Sequence, residues 1–354
     1  MRPLLLLVSI LISQASSGKT FSSNSLLKGG GDGVSNVPNK QAENIEEIRD
    51  VVIIGSGPSG CTAAIYAGRA LLRPLVVAGY AAGGQLMLTS DVENFPGYRE
   101  PVTGPEMMDD LKVQATRFGA EFWQTNVQTV DFSTRPFKIN IVNGTVYAKT
   151  VIISTGAEAI WLNAKDEESF KGKGISTCAT CDGYMFRNKP VVVIGGGDSA
   201  MEEANFLTRF ASSVTIVHRR ATFRASKVML ERARKNAKIT FLTNKKVIHW
   251  FGKEKDVLSG LKICDAETGE GEEDIHCDGA FIAIGHKPNT KFLDGQLVLD
   301  ENGYVLLSKN TMTSVPGVFA CGDVVDTRYR QAITAAGSGC QAAIDVERFL
   351  EDEH

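Results

Sequence analysis

The stretch Asp50-Val-Val-Ile-Ile-Gly55-Ser-Gly57-Pro-Ser-Gly60 decides the fold. Its first half is a short β-branched run without polar interruption, the pattern of a parallel strand buried on both faces. Its second half is a glycine turn with the spacing G-x-G-x-x-G. From Cys61 to Leu72 the chain predicts a helix, with Ala63, Ala64, Ala67 and Ala70 giving a small face that can lie close to a sheet. Leu75-Val-Val77 predicts the next strand and completes a βαβ unit. In such a turn the first glycine makes the bend, the second lets a pyrophosphate approach, and the third packs helix on strand. The helix N-terminus then faces the anion. Gly55, Ser56, Gly57, Pro58, Ser59 and Gly60 are thus candidates for holding a dinucleotide. A tight strand-to-helix turn with no nucleotide is the bland alternative.

The pattern recurs 140 residues later, counting Gly55 to Gly195. Pro190-Val-Val-Val-Ile194 predicts a buried strand, Gly195-Gly-Gly197-Asp-Ser-Ala200 a second glycine turn, Met201 to Phe210 its helix and Val214-Thr-Ile-Val217 its second strand. Gly195, Gly197, Asp198, Ser199 and Ala200 are the second set of nucleotide-binding candidates. Three further strands end in glycine, at Val151–Gly156, Phe281–Gly285 and Val318–Gly322, and a helix is predicted from about Gln331 to Leu350. Gly156 joins the cofactor-binding candidates. The expected fold is α/β, with two Rossmann-like dinucleotide-binding domains. The first spans 46–160 and 289–354, and the second is inserted at 161–288.

The two units differ where the adenosine ribose is contacted, about 20 residues after the turn. In the second unit this position reads His218-Arg219-Arg220, followed by Arg224. Guanidinium forks bind phosphate oxygens in bidentate fashion, so the three arginines suit a 2′-phosphate and hence NADPH. His218 is expected beside the ribose. A solvated basic patch is the alternative. In the first unit the position is Ala78 or Gly79, neither acid nor base.

Seven cysteines are present, and only Cys178 and Cys181 are closely spaced. A C-x-x-C beside a βαβ unit predicts a redox dithiol, in which one thiolate attacks and the other resolves. Asp182 is adjacent and suited to shuttling the proton. A zinc half-site would need two more ligands, and no second close pair supplies them. Inert structural cysteines are the other alternative. No metal site is expected.

A net charge of −3 provides no global field for nucleic acid or an anionic membrane. At the N-terminus, Met1-Arg2, an apolar run from Leu4 to Ile12 and small residues from Ser13 to Gly18 have the layout of a signal peptide, expected to cover 1–17. That run is too short to span a bilayer. Residues 18–45 are rich in Ser, Gly and Asn and poor in acids, as in a disordered spacer or transit segment. Delivery to a plastid, to a mitochondrion or out of the cell fits this layout. Asn143-Gly-Thr145 is a glycosylation sequon, usable only along a secretory route.

Together these motifs resemble the low-molecular-weight thioredoxin reductases, over about residues 48–350. Gly55–Gly60 is similar to the family's FAD pyrophosphate turn. Gly83-Gly-Gln85-Leu and Val92-Glu-Asn94-Phe-Pro-Gly97 resemble its flavin loops, and Gly322-Asp323 with Arg330-Gln331-Ala332 its second FAD motif. The resemblance implies that Gln85, Asn94, Asp323, Arg330, Gln331 and Ala332 serve FAD, with Asp323 at the ribityl chain. It implies that Cys181 is the sulfur nearer the flavin and Asp182 the acid/base. The implied activity is reduction of FAD by NADPH, of the Cys178–Cys181 disulfide by FAD, and of oxidised thioredoxin by the dithiol, in a homodimer. The implied motion is a rotation of the two domains about connections near Gly156–Glu158 and His286–Asn289. Many members carry an acidic residue where this chain has Ala78.

Other functions stay open on the sequence alone. A related reductase serving another dithiol protein usually carries an extra thioredoxin-like N-terminal domain, which residues 1–45 cannot hold. A ferredoxin-driven reductase or a dithiol oxidase should lack the arginine cluster. A non-catalytic nucleotide-binding scaffold has no use for the Cys-x-x-Cys.

Overall fold

The computed structural model describes residues 47–89, 91–253 and 257–353. The expected signal peptide and spacer at 1–45 lie outside them.

The first sheet runs in the order Glu121–Trp123, Leu75–Val77, Ile48–Ile54, Gly144–Ile153, Phe137–Ile141, Val127–Asp131, with Val318–Ala320 added beside the last part of Gly144–Ile153. The central strands are parallel, with Ile54 facing Val77 on one side and Ile153 on the other. Alternate residues of Ile48–Ile54 enter different cores. Val51 and Ile53 pack with Ala63, Ala67, Phe319 and Ala342, on the side of helices Pro58–Arg69 and Ala332–Asp352. Val52 and Ile54 pack with Val130, Phe137 and Ile139 of the antiparallel strands and with Leu293. Burial on both faces is why the strand has no polar alternation.

The second sheet is wholly parallel, in the order Ile175–Ser176, Gly279–Ile282, Pro190–Ile194, Ser213–His218, Ile239–Thr243. Helices Asp198–Leu207 and Lys227–Arg234 cover one face. An antiparallel sheet of Lys245–Lys253, Val257–Asp265 and Glu273–His276 lies beyond the other, where Trp250, Leu261 and Ile263 join the core.

Both turn helices start earlier than the sequence reading placed them, at Pro58 and Asp198 rather than Cys61 and Met201. Each begins directly after a glycine with extended ψ, Gly57 or Gly197, and Pro58 has the φ that a first helical residue needs. The glycine turns therefore end on helix N-termini, where anions bind.

Two short strands link the sheets. Ala157–Ala159 pairs antiparallel with His286–Pro288, with His286 opposite Ala159. The ribbon is closed by Ile160 N–H to Gly285 O at 3.0 Å and by Asn289 N–H to Gly156 O at 3.0 Å. Among the described residues no helix is long and apolar enough to cross a membrane.

Candidate active site

The first turn is held from below. Gly55 N–H donates to Val77 O at 2.9 Å, and Gly55 has φ +110°, so only glycine fits without strain. A Cβ on Gly55 would sit 2.3 Å from Ser154 O, and one on Gly60 would sit 2.1 Å from Gly55 O. Gly57 is the contrast: a Cβ there meets nothing within 4 Å, leaving open space at the helix N-terminus. The Ser56 hydroxyl donates to Ala78 O and accepts from Gly83 N–H, each at 3.0 Å, which ties the turn to the loop carrying Gln85. Ser59 is buried where the final helix crosses, and a Cβ on Gly339 would come within 2.1 Å of Ser59 O.

Gly322, at φ +74°, brings the strand end Val318–Ala320 against the Ser59 hydroxyl and presents Asp323 beside the turn. Asp323 Oδ1 is shielded from solvent and has no hydrogen-bond partner. Burial, with the Asp326 carboxylate adding to it, pushes its pKa up to about 6 against the pull of Arg330. A buried acceptor without a donor marks a place for a hydroxyl-bearing ligand. Open space at Gly57 and this orphan carboxylate are both what a flavin dinucleotide requires.

The second turn repeats the design. Gly195 N–H donates to Val217 O at 3.1 Å, a Cβ on Gly195 would sit 2.3 Å from Ala283 O, and Gly197 faces open space. Asp198 Oδ1 accepts Ser226 N–H at 2.7 Å. Arg219, Arg220 and Arg224 are exposed, and among the described residues none of them forms an ion pair. His218, expected at the ribose, is buried beneath Gly196 of the turn, with Nε2 3.1 Å from Thr222 O.

Cys178 and Cys181 are joined in a disulfide at the start of the short helix Ala179–Asp182. Cys178 N–H donates to Ser176 Oγ at 3.0 Å, and Cys181 N–H to Cys178 Sγ at 3.2 Å. Burial pushes the Asp182 carboxyl above its ordinary range, with a Ser176 hydrogen bond opposing, so the group beside the disulfide is readier to hold a proton. The other cysteines are free, and burial pushes the Cys61, Cys277 and Cys321 thiols up to about 12, out of reach of thiolate chemistry. Among the described residues no group of three or more His, Cys, Asp or Glu is arranged to hold a metal.

A cleft of about 2430 Å³ joins these parts. It is lined by Gly55–Ser59, Gln85, Asn94, Gly156, Cys178, Cys181, Asp182, Ser199, Asp323, Arg330, Gln331 and Ala332. Gly195, Gly197, Asp198, Ala200, His218 and the three arginines are not part of its lining. Gln331 connects the halves: its Nε2 donates to the Thr180 hydroxyl at 3.2 Å, and its Oε1 is 3.5 Å from Asn94 Nδ2.

Two lining residues had no motif to reveal them. Glu203 Oε2 and His286 Nδ1 are both shielded and unpartnered. Burial raises the Glu203 carboxyl to about 8 and lowers the His286 imidazole to about 4. Glu203 lies four residues past Ser199, one helical turn along the same face, which is the signal that identifies it.

Residues 49–339 match the family model described as pyridine nucleotide-disulphide oxidoreductase. Over 309 residues the chain is 53% identical to a thioredoxin reductase of Mycolicibacterium smegmatis, covering 87% of this chain and 98% of that one. Over 313 residues it is 51% identical to thioredoxin reductase 1, mitochondrial, of Arabidopsis thaliana, covering 85% of this chain and 83% of that one. The solved thioredoxin reductase from Giardia duodenalis superposes with a TM-score of 0.81 at 42% identity, covering 85% of this chain and 98% of that one.

Proposed function

The chain belongs to the pyridine nucleotide-disulphide oxidoreductase family, among its low-molecular-weight thioredoxin reductases, and we propose that it reduces oxidised thioredoxin at the expense of NADPH, with FAD as its flavin. The observation that carries this reading is the Cys178–Cys181 disulfide, seated in one cleft with the Gly55–Ser59 turn and Asp323 and touching Gln331 through Thr180. A zinc half-site and inert cysteines are both disfavoured by that bond.

FAD is assigned to 46–160 and 289–354. The Gly55–Gly60 turn would hold its pyrophosphate, Asp323 its ribityl hydroxyls, and Gln85, Asn94, Gly156, Arg330, Gln331 and Ala332 the remainder. NADPH is assigned to 161–288, with Gly195–Ala200 at the pyrophosphate and Arg219, Arg220 and Arg224 at the 2′-phosphate. Bound there, the nicotinamide and flavin supply the hydride and electron transfer that no side chain can perform.

The protein's own residues handle the sulfur and proton chemistry. Opening the Cys178–Cys181 bond takes up two electrons and two protons, and Asp182 sits where it can pass one of the protons. One of the resulting thiols, as thiolate, attacks a thioredoxin sulfur to form a mixed disulfide. The second displaces the reduced partner and restores the Cys178–Cys181 bond.

Purified protein should be yellow, and it should oxidise NADPH only when oxidised thioredoxin is supplied. Turnover with several candidate thioredoxins from the source organism identifies the partner. NADPH consumption indifferent to every thioredoxin would end this reading. Targeting by residues 1–17 and assembly as a homodimer belong to the same proposal. N-terminal sequencing of the native protein, with loss of about 15 residues expected, and its mass in solution test them.

A further inference from the structure

On the reading that the second turn holds NADPH, we propose that His218 is a positioning residue: it wedges the segment 219–226 against Gly196 and so aims Arg219, Arg220 and Arg224 at the 2′-phosphate. Arg219, Arg220 and Arg224 lie exposed within six residues of chain, so their like charges repel, and among the described residues no carboxylate pairs with any of them. With no carboxylate to hold them, the way they are presented depends on how the backbone beneath them is held.

His218 ends the strand Ser213–His218, and its ring lies directly under the glycine turn. A Cβ built on Gly196 would meet that ring at 2.2 Å, so the middle residue of the turn must lack a side chain while His218 is there. This requirement is separate from those on Gly195 and Gly197. The ring stacks on Phe223, with centroids 4.9 Å apart and planes 24° from parallel. Phe223 in turn meets Phe241 of the neighbouring strand edge-on at 5.5 Å, which anchors the stack in the core. Nε2 lies 3.1 Å from Thr222 O. A carbonyl only accepts, so Nε2 carries the hydrogen.

The segment is pinned at its far end as well. Arg224 N–H and Ala225 N–H donate to Gly196 O at 2.8 and 3.1 Å, and Ser226 N–H donates to Asp198 Oδ1 at 2.7 Å. The coil bearing the arginines therefore leaves the sheet at His218, turns at Thr222 and returns to the turn at Gly196. Burial, with Arg219, Arg220 and Arg224 adding to it, lowers the His218 pKa against the Thr222 contact. This disfavours a fourth positive charge beside the three arginines. A site whose cations are already arrayed loses less freedom when a phosphate arrives.

Calorimetry on the holoenzyme with adenosine 2′,5′-bisphosphate and with adenosine 5′-monophosphate tests this. Arg219→Ala combined with Arg220→Ala should bring the bisphosphate down to the affinity of the monophosphate. His218→Ala should weaken the bisphosphate about tenfold, the equivalent of about 1.4 kcal/mol, and leave the monophosphate as it was. His218→Gln, which keeps a donor of similar reach for Thr222 O, should recover most of that loss. Phe223→Leu, which removes the stacked ring and leaves His218 in place, should weaken the bisphosphate in the same selective way. Unchanged bisphosphate affinity in both His218→Ala and Phe223→Leu, or an equal fall for both nucleotides, overturns the role of His218 and leaves the coenzyme reading standing. An arginine variant that still prefers the bisphosphate overturns the coenzyme reading itself.

Discussion

The side-chain amide of Gln331 donates to the hydroxyl of Thr180 at 3.2 Å, although 151 residues separate them in the chain. Gln331 caps the helix Ala332–Asp352 and shares a capping box with Thr334, so its position is fixed by the first sheet's final helix. Thr180 lies between the two cysteines of the disulfide. The contact therefore holds the redox helix against the helix N-terminus that, with Asp323 and Ala332, lines the same cleft. A neutral hydrogen bond contributes about 0.5–1.5 kcal/mol, or about two- to tenfold in a rate that depends on the docked arrangement. Gln331→Ala should slow electron delivery to the disulfide by that factor, measured by stopped-flow absorbance. An unchanged rate would remove the contact from the mechanism.

The two glycines that begin the first turn should respond in opposite ways. Gly55→Ala forces a side chain into φ +110° and to 2.3 Å from Ser154 O, and should destabilise the protein by at least about 2 kcal/mol. Gly57→Ala meets nothing within 4 Å and should keep stability within about 1 kcal/mol. It should nevertheless be purified with less flavin, because its methyl stands where a pyrophosphate would approach. Denaturant titration and the visible absorbance per polypeptide separate the two effects. A fully loaded Gly57→Ala protein would argue against a nucleotide at this turn.

Cys181→Ser should still accept hydride from NADPH onto its flavin but should not reduce thioredoxin. The dithiol needs both sulfurs, one to attack and one to resolve. Rapid-mixing absorbance reports the first reaction, and thioredoxin-dependent NADPH oxidation the second. Thioredoxin reduction surviving in this variant would transfer the redox role away from Cys178–Cys181.

Glu203 should give the protein a pH-dependent stability of predictable sign. Burial, with Glu202 adding to it, raises its carboxyl from 4.5 to about 8 against the pull of Arg330. The folded protein thus holds this proton more tightly than the unfolded chain does. Its contribution is complete below about pH 4 and is lost as pH rises toward 8. Asp323, raised to about 6, acts in the same direction over the lower part of that range. Glu203→Gln cannot ionise and should flatten the decline, so its melting temperature should gain on the parent's between about pH 5 and pH 8. Parallel curves for the two proteins would place the Glu203 carboxylate in a hydrated setting.

Much of this molecule was legible in its sequence because its chemistry is carried by local backbone geometry. A buried strand, a glycine turn and a helix N-terminus form within about a dozen residues, so Asp50–Gly60 and Pro190–Ala200 each declared a strand–turn–helix unit unaided. Cys178 and Cys181 are close enough in sequence that their pairing needed no fold to bring them together. The antiparallel strands Val127–Asp131 and Lys245–Lys253 had no such mark, since what they contribute is a covering face for a sheet.

The sequence by itself determined two glycine turns, a cysteine pair and an arginine cluster, because each is a short-range pattern of residue type and spacing. Only the tertiary structure decided what those parts face. It set Gln331 against Thr180, left one carboxylate oxygen each of Asp323 and Glu203 shielded without a partner, and turned His218 under Gly196 rather than outward. These outcomes depend on how one sheet's strand ends meet segments more than a hundred residues away, or on which side of a strand end a ring packs. Burial and hydrogen bonding at such meetings arise from the assembled core, and no spacing rule along the chain encodes them.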